Sequence, residues 1–465
     1  MEVLIVDLDD TLLKTDLLFE SVFKLLCQSP KQIFKVPYWF LQGKAVLKSR
    51  LAELVSIDPK SLPYRQPLLD YLKLEHERGT TLILASASAQ HLVKQIADYL
   101  GIFEHAIGSI DINLKGSEKT AAVKKLIGDR PFRYAGDSRV DLPIWKKSIG
   151  AIAVNPSRFV SQQLQSSNIP TQTIRDSVNK FRALIRLFRF HHWSKNCLLF
   201  LPLIAGHYFN AFDKWAYCLL AFLSFGFIAS AVYLLNDMVD LESDRIHATK
   251  KNRPLASGEI SLVVGLVAAT VSLCVSFLIA TFLPLNFRLM LLVYLGLNLA
   301  YSMRLKKLLI LDVVLLASLY TLRIISGGLA VGVPVSEWLL AFSSFFFFGL
   351  AMVKRCTEIK KIKAHVPGRG YLASDFNAVF TLGAGTSLIS VLIIVLYLNS
   401  QTAEHLYHYS ERLWVVVPLL LYWVSRVWIL VSRGEIHEDP VIFALKDRAT
   451  LCVIFLLAVV IGLSI

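Results

Sequence analysis

Charge is what this chain has least of. Across 465 residues, Asp, Glu, Lys and Arg make up 18% and hydrophobic residues 55%, with a mean hydropathy of +0.53. Soluble domains carry about 25% charge, so a wholly soluble globular protein is excluded and part of the chain is expected to live in lipid. Acid is scarcer than base, 35 residues against 49, which leaves a formal charge of +14. A nucleic-acid binder can show the same excess. Here, however, the basic residues fall in short loops between apolar runs, the pattern of positive-inside topology and of contact with phosphate-bearing substrates or anionic lipids, so no nucleic-acid partner is expected. Cysteine is sparse too. Cys27, Cys197, Cys218, Cys274, Cys356 and Cys452 show no CxxC or His pairing, so neither a disulfide framework nor a zinc site is implied. A signal peptide is also missing. Met1–Asp7 enters an apolar strand directly, without a basic n-region or a small-residue cleavage site, so the front of the chain is expected to be cytosolic.

The apolar character is uneven. Residues up to about 175 read as an ordinary soluble domain, whereas the rest is a series of stretches long enough to cross a bilayer. About nine spans are expected, near 196–212, 215–235, 261–283, 286–303, 309–331, 337–353, 377–399, 412–431 and 449–465. Loops on one side carry Arg245, Lys250, Lys251 and Arg253, then Arg304, Lys306 and Lys307, then Lys354 to Arg369, then Arg433, Lys446 and Arg448. That basic side is expected to be cytoplasmic in a multi-pass cell-membrane protein, with the C-terminus opposite. Residues 155–175 are polar and weakly periodic, as in a linker. The following VNKFRALIRLFRFHHWSKN alternates apolar and basic residues as an interfacial helix does, with Arg182, Arg186 and Arg189 expected to snorkel. The expected division is a front domain over 1–155, a linker over 156–184 and a membrane domain over 185–465.

The most informative stretch ends the second apolar run: Asn236-Asp237-Met238-Val239-Asp240-Leu241-Glu242-Ser243-Asp244-Arg245. Acid at a membrane face is costly and marks a functional site. On a helix Asn236, Asp240 and Asp244 recur at i, i+4 and i+8 and share one face, flanked by Asp237. Hard oxygen ligands of this kind suit Mg²⁺ holding substrate phosphates. Lys251 and Arg253 follow as phosphate-binding candidates.

In the front region, the strand Val3–Val6 leads into Asp7-Leu8-Asp9-Asp10-Thr11. A second apolar run ends at Ser86, a third at Asp137 with Asp141 four residues on, and Lys119 opens a helical pattern between them. Polar residues at strand ends converge at the carboxyl edge of a parallel sheet, where such sheets bind ligands. The pattern resembles the haloacid dehalogenase-like phosphatases over essentially all of residues 1–155. The resemblance implies a Rossmann-like α/β fold with a small helical cap and a phosphorylated substrate. It makes Asp7 the nucleophile and Asp9 the general acid/base, with Ser86 and Lys119 on the phosphoryl oxygens. Asp7, Asp9, Asp137 and Asp141 would form or support a Mg²⁺ site. The cap would come from the helical insert between Thr11 and Ser86, where Tyr38, Trp39 and Phe40 are expected to be cap core.

From about residue 185 onward the chain resembles the UbiA superfamily of intramembrane prenyltransferases, whose NDxxDxxxD motif is matched by Asn236, Asp237, Asp240 and Asp244. That implies an all-α polytopic bundle with Mg²⁺ on the acidic motif. Where many members carry a second DxxxD, this chain reads Lys354-Arg355-Cys356-Thr357-Glu358. The strings His192–Asn196, Tyr301–Lys306, Leu322-Arg323 and RGEIHEDPVIFALKDR are similar to one branch, the decaprenyl-phosphate phosphoribosyltransferases. That branch implies phosphoribosyl diphosphate as donor and a polyprenyl phosphate as acceptor. The site would then comprise catalytic Asn236, Asp240 and Asp244, with Lys195, Arg245, Lys251, Arg253, Tyr301, Lys306, Arg323, Lys354, Arg355 and Glu358 binding substrate. Asp312 is a candidate partner for Arg323. Two other readings stay open: prenyl transfer to an aromatic or other acceptor, and a lipid carrier or scaffold with a regulatory phosphatase-like domain.

Overall fold

A computed structural model of the chain describes residues 2–110, 113–176, 179–361, 369–436 and 440–465. The front region forms a six-stranded sheet of β1 (Val3–Val6), β2 (Thr81–Ala89), β3 (His105–Ser109), β4 (Phe132–Gly136), β5 (Gly150–Val154) and β6 (Thr171–Ile174), in the order β3-β2-β1-β4-β5-β6. Every pairing is parallel. A parallel sheet is covered on both faces, which is why β1 is an unbroken apolar run buried at all four positions. Leu4, Val6, Leu82 and Leu84 enter one core, while Val3, Ile5, Ile83 and Ala85 enter the other, as the period of two requires. Val6 pairs with Leu84 and with Ala135. Asp7 follows β1 directly, Asp137 follows β4, and Ser86 lies two residues beyond Leu84 within β2, so all three stand toward the same carboxyl edge of the sheet.

The polar run 155–175 is not a bare linker. Ser157 caps a helix over Arg158–Ser166, and Thr171–Ile174 adds the sixth strand beside β5. This edge strand, Thr-Gln-Thr-Ile, is largely exposed, so it lacks the apolar alternation by which a strand is recognised.

The insert after β1 is helical, with helices Leu17–Gln28, Val36–Leu41 and Lys44–Leu54. Leu17, Leu25, Leu47 and Leu51 join the core and Trp39 packs against it. Tyr38 and Phe40 do not: both are exposed. The expectation that all three aromatics form cap core holds only for Trp39, because one short turn of helix can aim only one face at the domain.

Packing divides the chain into two units, Met1–Arg189 with Tyr233–Thr270, and Phe190–Val232 with Val271–Ile465. In the first, the basic helix Lys180–Phe188 buries Ala183 and Leu187 against Leu234, Met238, Leu241 and Leu255. Among the described residues seven helices are long and apolar enough to cross a membrane: Phe212–Val239, Leu262–Ala280, Leu285–Met303, Leu311–Val331, Glu337–Lys360, Ala373–Leu398 and Ser410–Arg433. The chain is thus a multi-pass membrane protein. The first expected span is instead a run of 3₁₀ turns over Phe190–Phe200 and a short helix Leu201–Ala205. The last is a shorter helix, Arg448–Gly462.

In the second unit, Gly327 lets the helix Leu311–Val331 touch the 3₁₀ segment. A Cβ there would meet the Leu199 carbonyl oxygen at 2.1 Å, and backbone cannot step aside. Gly327→Ala is expected to lower stability by about 2 kcal/mol or more, read as a fall in Tm of the protein in detergent. The same change at Gly296, where nothing lies within 4 Å, is expected to leave Tm unchanged or raise it slightly.

Candidate active sites

At the edge of the front sheet, Asp7 ends β1 and receives a 2.7 Å hydrogen bond from Lys119 Nζ. Lys119 also donates to Tyr134 Oη at 3.1 Å, and Tyr134 in turn donates to Asp141 Oδ1 at 2.8 Å. Asp141 Oδ2 accepts from the Asp137 and Ser138 backbone N–H groups at 3.2 and 3.0 Å. Gly136 permits this closeness, since a Cβ there would lie 2.8 Å from the Asp141 carboxylate. Thr11 Oγ1 donates to Asp137 Oδ1 at 3.3 Å.

Asp7, Asp137 and Asp141 each bring one carboxylate oxygen within 4.8 Å of the others. Burial pushes the Asp7 carboxyl up to about 7, with Asp141 adding to the rise and Lys119 opposing it. Asp137 also rises to about 7, through burial and then its neighbours Asp141 and Asp7. For Lys119, burial favours the neutral amine, but Asp7 and Asp141 outweigh it and the net shift is upward. Three crowded carboxylates, one buried and two partly buried, whose mutual repulsion a cation would relieve fit a divalent metal.

Asp9 does not join that cluster. Its Oδ2 accepts from Ser86 Oγ at 2.9 Å and Ser88 Oγ at 2.7 Å, and its Oδ1 from the Leu17 N–H at 2.9 Å. The motif residues Asp9 and Asp10 adopt non-helical backbone angles, with φ +56° at Asp10. The turn thereby separates the Asp7 and Asp9 side chains. The expected acid/base Asp9 and the expected phosphoryl ligand Ser86 thus engage each other in this structure.

A metal effect follows. Both raised carboxyls favour the metal-free fold at low pH, and that contribution is lost as pH rises through about 7. Mg²⁺ must displace those protons, so its affinity is expected to fall as pH drops from about 8 to about 6, roughly tenfold per unit for each proton displaced. Thermal shift on the full chain checks this. Equal stabilisation by Mg²⁺ at both pH values would count against a metal on these acids.

The second constellation lies in the same unit. The span ends at Val239 and a short helix runs over Leu241–Ile246, so Asp240 sits at a break (φ −90°, ψ 11°) and not inside a continuous helix. The face survives the break. Asp240 N–H reaches the Asn236 carbonyl and Asp244 N–H the Asp240 carbonyl, each at 2.9 Å, and Asn236 Nδ2 donates to Asp240 Oδ2 at 3.2 Å. Asp237 accepts from Arg189 Nη2 at 2.6 and 2.7 Å and from Arg253 at 3.1 Å. Arg253 also pairs with Asp244. Asp244 Oδ1 is buried with no hydrogen-bond partner, and Lys250 Nζ stays 3.8 Å away. An orphaned carboxylate oxygen on the face that carries Asn236 and Asp240 fits a divalent ion.

Arg189 is the residue beside the acidic face that the sequence pattern hid. Read as snorkelling, it instead ends its helix in a left-handed conformation (φ +51°) and grips Asp237. Arg186 pairs with Glu259. Arg245 is engaged by Glu20 of the cap, at 2.6 and 3.2 Å, and by the Ala256 carbonyl. Lys251 is exposed.

In the second unit, Arg323 is buried and donates to Asn196 Oδ1 at 3.0 Å and Tyr294 Oη at 2.9 Å. Asp312 is not its partner: the two lie about three turns apart on one helix, too far to meet. Asp312 instead forms an ion pair with Arg355, Nε to Oδ2 at 2.7 Å, and accepts a hydrogen bond from Tyr371 Oη at 2.7 Å. Arg355, fully buried, also pairs with Glu358, and Arg369 donates to Tyr301 Oη at 2.6 Å. The expected phosphate ligand Arg355 is thus part of a buried ion network. Lys354 and Lys306 are half-buried. Arg426 forms a two-point pair with Asp447 at 2.7 and 3.0 Å. His437, Glu438 and Asp439 lie outside the described residues. An apolar cavity of about 460 Å³ is lined by Phe342, Phe346, Leu350, Trp423 and Leu457, with Lys195 among its few polar walls. The Lys195 ammonium stands 5.6 Å from the Tyr320 ring centre.

An acid-rich turn closing a membrane span, in a chain fronted by a parallel-sheet α/β domain, describes a multi-pass membrane protein of transferase type with a hydrolase-like front domain. The chain belongs to the UbiA prenyltransferase family, whose match covers residues 199–459. Residues 4–146 match the haloacid dehalogenase-like hydrolases. An uncharacterized protein of Sinorhizobium fredii is 37% identical over 455 residues, which are 96% of this chain and 88% of that one. The nodulation protein NoeC of Azorhizobium caulinodans is 32% identical over 276 residues, covering 58% of this chain and 88% of that one. The decaprenyl-phosphate phosphoribosyltransferase of Mycobacterium tuberculosis is 34% identical over 285 residues, covering 58% and 90%.

Proposed function

We propose that the membrane part transfers 5-phosphoribose from phosphoribosyl diphosphate to a polyprenyl phosphate, and that the front domain removes the 5-phosphate from the product. The observation that carries the first half is the Asn236–Asp240–Asp244 face, with its orphaned Asp244 oxygen and the cations Arg189 and Arg253 beside it. It is supported by similarity to decaprenyl-phosphate phosphoribosyltransferases.

Both families generally use Mg²⁺, which when bound on Asn236, Asp240 and Asp244 supplies charge stabilisation to a diphosphate leaving group. The protein's own residues do the rest. Arg253 offers its guanidinium to the same phosphates, while Arg189 holds Asp237 in place. The cavity beside Lys195 suits a prenyl tail with a phosphate near the ammonium. An acceptor phosphate is already anionic at pH 7, so no strong general base is required. In the front cleft, Asp7 attacks the phosphoryl group while Lys119 neutralises its oxygens. Asp9, oriented by Ser86 and Ser88, moves the proton to the leaving oxygen and then from water.

Membranes containing the protein are incubated with ribose-labelled phosphoribosyl diphosphate, polyprenyl phosphate and Mg²⁺. Label is expected in the lipid phase, reduced about 10²-fold or more by Asp240→Asn. No label in lipid, with prenyl label passing to 4-hydroxybenzoate, would replace this reading with prenyl transfer. Hydrolysis of soluble phosphosugars but never of the lipid product would remove the proposed coupling of the two halves.

A further inference from the structure

From Ser21 to Ala52 the chain carries Lys24, Lys31, Lys35, Lys44, Lys48 and Arg50 and not one carboxylate. Three of these cations are committed elsewhere: Lys24 pairs with Glu242, Lys48 donates to the Ala87 carbonyl, and Arg50 pairs with Glu53 at 3.4 Å. Lys31, Lys35 and Lys44 are exposed and have no carboxylate partner among the described residues. Between them the cap presents four large apolar or aromatic side chains to solvent. Phe34 and Leu41 are each 83% exposed, and Tyr38 and Phe40 are exposed as well. Four large apolar or aromatic side chains within one short segment are not the scattered exposure that any surface shows.

We propose that the cap segment Pro30–Lys44 docks into the headgroup region of an anionic membrane leaflet. Phe34, Phe40 and Leu41 enter the acyl boundary, Tyr38 sits at headgroup level, and Lys31, Lys35 and Lys44 meet lipid phosphates. Aromatic residues interleaved with lysine, and no acid, make the composition of an interfacial anchor.

Continuity within one packing unit favours a bilayer over a second copy. The cap helix Leu17–Gln28 ends just before this segment. Glu20 and Lys24 on that helix are tied to Arg245 and Glu242 of the helix Leu241–Ile246, which directly follows the span ending at Val239. The Arg245–Glu20 pair is nearly buried, so the tie is stiff. The same unit carries the basic helix Lys180–Phe188 with Phe181, Leu184 and Ile185 exposed, a second surface of interfacial type. A surface already held beside a span needs little further ordering to reach lipid. The inference does not depend on which phosphate ester the front domain hydrolyses.

The test places the photo-crosslinking residue p-benzoylphenylalanine at Phe34 or at Leu41 of the full chain in lipid nanodiscs, with Leu74 as the exposed control on another helix. Adducts are identified by mass spectrometry. Lipid adducts are expected at Phe34 and Leu41 and not at Leu74. Their yield is expected to be at least about fivefold higher with phosphatidylglycerol than with phosphatidylcholine alone, and to lose that difference in a Lys31→Gln, Lys35→Gln, Lys44→Gln variant. Crosslinks between two copies would overturn the proposal in favour of a dimer contact. Lipid-free, uncrosslinked protein would overturn it outright, as would equal lipid labelling at Leu74.

Discussion

Asp7→Asn is expected to abolish phosphate-ester hydrolysis by the full chain, with a loss of about 10⁴-fold or more, while transfer of label into lipid persists. The asparagine keeps the shape at the end of β1 but cannot form an acyl phosphate, and no neighbour can substitute. Asp9 is turned toward Ser86, Ser88 and the Leu17 N–H, and Asp137 and Asp141 sit in the acid cluster. Asp9→Asn is expected to lose less, about 10² to 10⁴-fold, as befits a proton carrier. Hydrolysis of a chromogenic phosphate ester and of the labelled lipid product, measured on the same preparations, checks both. Persistent turnover in Asp7→Asn would remove the covalent route. Loss of both activities together would show that the substitution damages the whole protein.

The second large effect belongs to the membrane bundle. Asp312→Leu is expected to cost about 3 to 5 kcal/mol, because it strips a carboxylate from Arg355, whose side chain is fully buried. Glu358 remains, but it is partly exposed and shared with Arg369. Arg355→Met alone is expected to cost a similar amount by leaving Asp312 with Tyr371 as its close partner. The double variant Arg355→Met, Asp312→Leu is expected to recover most of the loss, since an apolar pair of similar volume escapes the desolvation penalty. Tm in detergent reads all three. A double variant as unstable as the sum of the singles would show that the pair does more than neutralise itself. A phosphate-binding Arg355 would appear as an altered KM for the lipid substrate at unchanged Tm.

Much of this protein was legible because its signals are local or periodic. Continuous apolar runs gave the buried strands β1 and β2, and hydropathy gave most of the spans. Polar residues after strands, with Lys119 at the start of a helix, mark Asp7, Lys119, Asp137 and Asp141 as one cleft from spacing alone. The failures share a cause. The sixth strand carries polar residues on an open edge, so it has no alternation. The first expected span had apolar composition but not helical continuity: it adopts 3₁₀ turns and a short helix bearing Pro202, which ends at Gly206. Tyr38 and Phe40 are aromatic, which sequence reading takes as core, but their exposure is a matter of which face the cap turns outward.

By itself, the sequence determined the two families, the parallel sheet, the membrane bundle and the acids that define both candidate sites. Those follow from residue type, period and spacing along a few turns or strands. Only the tertiary structure decided which charges meet. It set Arg189 on Asp237, Arg245 on Glu20, Arg355 on Asp312 and Asp9 on two serines, and it left one buried oxygen of Asp244 without a hydrogen bond. Ion pairs between distant segments have no period, and a basic residue reads the same whether it faces water, lipid or a buried carboxylate. The cost of burying a charge makes the choice, and that cost exists only once the chain is folded.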